Sequence, residues 1–205
     1  MSGAIVTIFT LIVLLFSIII HEIAHGSMAL YLGDPTAKYS GRLTLNPLKH
    51  LDPFGSILFP LFLFIATQGQ GPIFGWAKPV PVNPYNYRDQ KWGELKVAIA
   101  GPAVNFLIGI IFSLAIRFFG LRLPVALIEF FKIIAVYNFA WGLFNLVPIP
   151  PLDGYHILFS LLPEKFSEIK IFLLRYSIIL LFLFIFFGFG LISFGAFFLF
   201  SIFVG

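Results

Sequence analysis

The sequence predicts an all-α polytopic membrane protein, with about five to six transmembrane helices and a short re-entrant or β-like segment on the cytoplasmic side. Three observations predict it. Of 205 residues, 60% are hydrophobic and 11% charged, and the mean hydropathy is +1.00, a balance foreign to soluble domains. Apolar runs recur at the length an α-helix needs to cross a hydrocarbon core, about 20 residues. Basic residues gather in the loops that one side of the membrane would share, the pattern of chains oriented by cytoplasmic charge.

The first apolar run, at about 4–32, has no charged residue before His21. It lacks a basic leading region and a small-residue cleavage site, so it is expected to persist as a helix rather than be removed as a signal peptide. The run at 54–67 is shorter, and Gly69, Gly71, Pro72 and Gly75 follow it; that length suits a re-entrant or interfacial segment. Runs at about 95–119 and 124–147 are further spans. The last two spans are expected at 171–187 and 189–204, as a helical hairpin around Gly188 and Gly190. Between spans, 37–53 and 73–87 carry Pro and Asn-Pro punctuation that opposes helix, so extended chain, turns and some short β-structure are expected there. With no linker or internal repeat, residues 1–205 read as a single membrane-embedded domain, its core at about 4–157 and the C-terminal hairpin at about 171–204.

Charge orients these spans. If 54–67 does not cross, Lys38, Arg42, Lys49, Lys78, Arg88, Lys91, Lys96, Lys165, Lys170 and Arg175 share one side, and Arg117 and Arg122 lie opposite. If 54–67 crosses, that asymmetry largely disappears. The positive-inside rule therefore favours the re-entrant reading, with the N-terminus outside and the first helix running inward. The net charge of +4 has the same origin, and no nucleic-acid partner is expected. Cysteine is absent, which excludes disulfides, thiol nucleophiles and thiolate metal ligands.

The chemistry sits inside the first span. His21-Glu22-Ile23-Ala24-His25 places two histidines four residues apart, on one face of a helix, where both imidazoles can reach one zinc ion. Glu22 projects close enough to activate water at the metal. Ionisable groups at membrane depth are costly and usually mark function. Catalytic zinc commonly takes three protein ligands, and the best remaining acid is Asp153, which follows Asn145 and the helix-breaking Pro148, Pro150 and Pro151. The alternative for Asp153 is an N-cap on the next helix. Topology favours the ligand reading. His21 lies roughly 25 Å along an inward-running helix, Asp153 follows an inward-running span, and Gly101-Pro102-Ala103-Val104-Asn105 opens an outward-running one, so all three clusters meet at the cytoplasmic end. Asn145 suits an amide donor to a developing oxyanion, or else an interhelical hydrogen bond. Asn105 is expected to be a structural amide near the site and His50 to brace its loop; His156 is set aside.

These motifs together resemble the site-2 protease family of intramembrane zinc metalloproteases. His21 to His25 matches its first motif, and the stretch from Asn145 to Leu152-Asp153-Gly154 matches its second. Gly101 to Asn105 and the Gly-Trp-Ala-Lys-Pro-Val-Pro-Val stretch at 75–82 are similar to further segments of the family. The resemblance implies zinc, one per chain, bound by His21, His25 and Asp153, with Glu22 as catalytic base. It implies that Asn145 holds the substrate backbone or oxyanion, and that 73–82 guides the substrate. An extended substrate could pair with a strand edge there. The expected partners are a transmembrane protein substrate and the lipid bilayer, and the expected location is the plasma membrane of a prokaryote, as a multi-pass protein with its site toward the cytoplasm. The chain resembles the compact branch, without PDZ or CBS domains. Two other classes are weighed beside the protease: a catalytically inactive membrane scaffold, which would not need Glu22, and a metal or proton transporter, which would favour paired broken helices in two repeats.

Overall fold

A computed structural model describes residues 3–68 and 77–205. Helix α1, Gly3–Tyr31, is followed by a four-residue turn of helix, α2, Thr36–Tyr39. A π-helical turn at Pro53–Leu58 leads into α3, Phe59–Ala66. Helices α4, Gly93–Phe119, and α5, Val125–Asn145, form an antiparallel pair joined by a 3-10 turn. The short α6, Asp153–Leu161, precedes α7, Ser167–Leu183, and α8, Phe189–Val204.

Among the described residues, four helical stretches are long and apolar enough to cross a membrane: Gly3–Tyr31, Gly93–Arg122, Val125–Asn145 and Ser167–Val204. The span positions expected at 4–32, 95–119 and 124–147 thus recur within a few residues. Three expectations fare differently. No hairpin forms around Gly188 and Gly190: a π-helical turn at Phe184–Gly188 carries helix straight from α7 into α8. Gly188 serves close packing instead, since a Cβ there would lie 2.3 Å from the Phe184 ring. No β-strand occurs among the described residues, and 37–53 includes part of α2 and a 3-10 turn at Pro47–Lys49 rather than extended chain throughout. The apolar 54–67 stretch is helical yet holds only the eight residues of α3 as α-helix. Residues 73–76 of the expected substrate-guiding segment lie outside the described residues.

The core is built from α1, α4, α5 and α8. Small residues let the helices approach, as is usual where lipid offers no hydrophobic drive to associate. Ala135, Phe139 and Ala196 are buried together, with Phe106, Ile110 and Phe203 against them. Gly109 makes room for the Phe139 ring, which would lie 2.6 Å from a Cβ at that position. Nearer the other end of α4, Ala29, Leu32, Tyr87 and Val97 pack together and join α1 to the loop before α4. Large apolar side chains such as Ile8, Leu107, Ile178 and Phe198 face outward, as a lipid-facing surface requires.

Candidate metal centre

His21 and His25 lie on one face of α1, and Asp153 opens α6 after the proline-broken turn that ends α5. Gly154 permits that turn, because a Cβ there would run into the Leu146 carbonyl at 2.2 Å. The fold brings the three side chains together: Asp153 Oδ2 lies 3.0 Å from His21 Nε2 and 3.3 Å from His25 Nε2, and the two Nε2 atoms are 3.0 Å apart. Among the described residues they form the one group of three metal-ligating side chains close enough to hold an ion.

The outer nitrogens of both rings have acceptors. His25 Nδ1 lies 2.7 Å from the Val97 carbonyl, which can only accept, so this nitrogen bears the proton. His21 Nδ1 lies 2.7 Å from Asn105 Oδ1. The orientation of Asn105 is set independently, because its Nδ2 donates to the Ser17 carbonyl at 3.2 Å and to Asn138 Oδ1 at 2.9 Å. Asn138 in turn donates to the Ile134 carbonyl. With each Nδ1 donating outward, the neutral form of both imidazoles turns Nε2 lone pairs inward, toward the buried Asp153 Oδ2. In that neutral form three acceptors face one another, and they repel unless a cation lies between. Two imidazoles and a carboxylate suit zinc, and Nδ1 partners of this kind orient ligating histidines. The residues present fit the ion.

One face of α4 supports this group. Glu94, Val97, Gly101 and Asn105 recur at helical spacing. Val97 accepts from His25, Asn105 from His21, and Gly101 leaves space for both rings. Pro102 lies inside α4 and offers no N–H to the carbonyl four residues earlier, in the turn from which Val97 reaches His25.

All five predicted site residues, His21, Glu22, His25, Asn145 and Asp153, line one cavity of about 280 Å³, together with Pro79, Val80 and Pro151. Glu22 Oε2 accepts a hydrogen bond from the Val80 N–H at 2.7 Å. Asn145 Nδ2 donates to the Trp141 carbonyl of its own helix at 3.0 Å, so α5 positions it and its second N–H remains to donate. Asn105, expected to be structural, orients His21. His50 braces its loop, with Nε2 donating to the Thr44 carbonyl at 2.8 Å. His156 faces the same cavity and pairs with Glu94 at 2.8 Å. Asn138 was not singled out, although an amide inside an apolar span is itself a signal. The Val80 contact had none to offer, since backbone donors carry no residue signature. Of the 73–82 segment where a substrate was expected to pair, residues 73–76 lie outside the described residues; Pro79 and Pro81 lack N–H groups and the Val80 N–H is bonded to Glu22.

The profile of the family described as Peptidase family M50 matches residues 9–126 and 120–186. YwhC of Bacillus subtilis (strain 168) is 42% identical over 162 residues, covering 76% of this chain and 69% of that protein. Rip2 of Mycolicibacterium smegmatis is 32% identical over 151 residues, 69% of this chain and 52% of its own length. A protein of Methanocaldococcus jannaschii is 36% identical over 80 residues, 39% of this chain and 23% of its own. All three names include the words zinc metalloprotease. No solved structure matches the chain. The matched segments carry both the histidine pair of α1 and Asp153, and the chain belongs to peptidase family M50, the site-2 proteases.

Proposed function

We propose that this protein is an intramembrane zinc endopeptidase, a single membrane-embedded domain that hydrolyses a peptide bond in or near a transmembrane helix of a membrane-protein substrate. The observation that carries the reading is the convergence of two Nε2 atoms, on rings that each donate outward from Nδ1, and a buried carboxylate oxygen within 3.3 Å. One zinc per chain, held by His21, His25 and Asp153, would supply a Lewis acid toward water and the scissile carbonyl. Glu22 takes the proton from the attacking water and returns it to the leaving amine. Asn145 donates its second N–H to the substrate carbonyl as charge develops there. A helical peptide bond is shielded by its own hydrogen bonds, so the substrate enters the cavity locally unwound.

The site faces the cytoplasmic side of a prokaryotic plasma membrane, by the placement of ten basic residues on that side and two opposite. The 54–67 stretch is a re-entrant element on the same side. General acid–base catalysis contributes about 10²–10⁴-fold, so Glu22→Gln should lower kcat for a transmembrane peptide by that amount while zinc content stays at the wild-type level. Unchanged cleavage by Glu22→Gln would remove Glu22 from the mechanism.

A further inference from the structure

Asp34, Arg42 and His50, at 0%, 5% and 2% exposure, are buried side chains outside the metal centre. Asp34 and Arg42 hold one stretch of chain through their side chains, and His50 holds it through its backbone carbonyl. Asp34 accepts from the Thr36 N–H and hydroxyl in its own turn. It also accepts from the Asn83 N–H at 2.7 Å and from Asn86 Nδ2 at 2.8 Å. Burial pushes the Asp34 carboxyl up, and these four hydrogen bonds outweigh it, so it sits below its ordinary pKa and stays charged at neutral pH. At the other end Arg42 donates to the Lys78 carbonyl. The Lys78 N–H donates to the His50 carbonyl at 2.9 Å.

Between these clamps, prolines at 79, 81 and 84 restrict the residues before them to extended conformations. Pro79 and Pro81 have no N–H, so Val80 supplies the donor in this stretch that meets the cavity, 2.7 Å from Glu22 Oε2. Its side chain is buried against Gly26, one turn beyond Glu22, where a Cβ would lie 2.8 Å from Val80 Cγ1. A strap pinned at both ends by buried groups is a fixed part of the site rather than a movable cover.

We propose that Val80 is a positioning residue for hydrolysis: its backbone N–H, held in place by the Asp34, Arg42 and His50 frame, fixes the Glu22 carboxylate and leaves the second oxygen to take the proton from water. The inference rests on the reading of Glu22 as the base. It is tested on the full chain in detergent, labelled with ¹⁵N-valine, by amide exchange at Val80 and by cleavage of a synthetic leucine–alanine transmembrane peptide with a central Asn-Pro break. The Val80 amide should be protected in the wild type and exchange at least about tenfold faster in Glu22→Ala and Asp34→Ala, as expected for loss of a hydrogen bond to a charged group. Val80→Pro removes the donor and should lower kcat about 10–100-fold, the usual effect of losing a group that orients a catalytic one. KM and zinc content should stay near wild type, and Val80→Ala, which keeps the N–H, should recover most of the kcat. Free exchange at Val80 in the wild type, a rise in activity in Val80→Pro, or a change in KM alone would overturn the proposal. If Val80→Pro loses zinc and so does not fold, the exchange measurement decides alone. If Glu22→Gln cleaves normally while Val80 protection still depends on Glu22, the reading of Glu22 as base fails and the contact itself stands.

Discussion

At position 101 the site has no room for a side chain. A Cβ there would lie 2.3 Å from His25 Nε2 and 2.6 Å from His21 Cε1. Neither ring can turn aside without breaking its bond at Nδ1. Alanine is the better helix former by about 1 kcal/mol, so Gly101→Ala should keep α4 while zinc affinity falls about 10–100-fold. Metal titration beside circular dichroism checks both halves of that expectation. The contrast with other residues shows what a sequence can display at this scale. The histidine pair was legible because a helix sets residues four apart on one face, and Asp153 because prolines isolate it after an apolar span. Gly101 read only as part of a segment near the site, since nothing in its identity says that the neighbours are the ligand rings. Val80 was not legible at all, because its contribution is an N–H that almost every residue carries.

Among the helices, α4 does most to shape the site without supplying a ligand. Asn105 joins three helices: it accepts from His21 on α1, and its Nδ2 donates to Ser17 on α1 and to Asn138 on α5. Leaving such buried groups unpaired costs about 1–3 kcal/mol each. Asn105→Ala frees His21 to present either nitrogen, and zinc affinity should fall about 10–100-fold even though the three ligands remain; competition against a chelator of known affinity measures it. The positions of α1, α4 and α5 were legible from the lengths of their apolar runs, which hydrocarbon thickness dictates. The C-terminal hairpin was misread because glycine permits a turn without requiring one, and Gly188 instead accommodates the Phe184 ring. The stretch at 37–53 was misread as non-helical because proline opposes helix only around itself, and Thr36–Tyr39 follows Pro35 at a helix start, where proline is tolerated.

For the whole molecule, one crossing by each of the four candidate spans among the described residues would put the two ends on one side. Gly205 lies beside the C-terminal end of α4, since a Cβ on it would be 3.5 Å from the Arg117 guanidinium, and the proposed orientation puts that end outside. The chain has no cysteine, so single substitutions report topology cleanly. A membrane-impermeant maleimide on intact cells should label Leu121→Cys and Gly205→Cys, and Lys165→Cys only after permeabilisation; label at 121 with protection at 205 would restore the hairpin. The central claim is that this arrangement of helices exists to hold one zinc at His21, His25 and Asp153. The most direct test is zinc per chain, by mass spectrometry, in wild type and His25→Ala purified without chelator. The account predicts close to one zinc in the wild type and almost none in the variant. A zinc-free wild type, or a variant that binds zinc as well as the wild type, would contradict it.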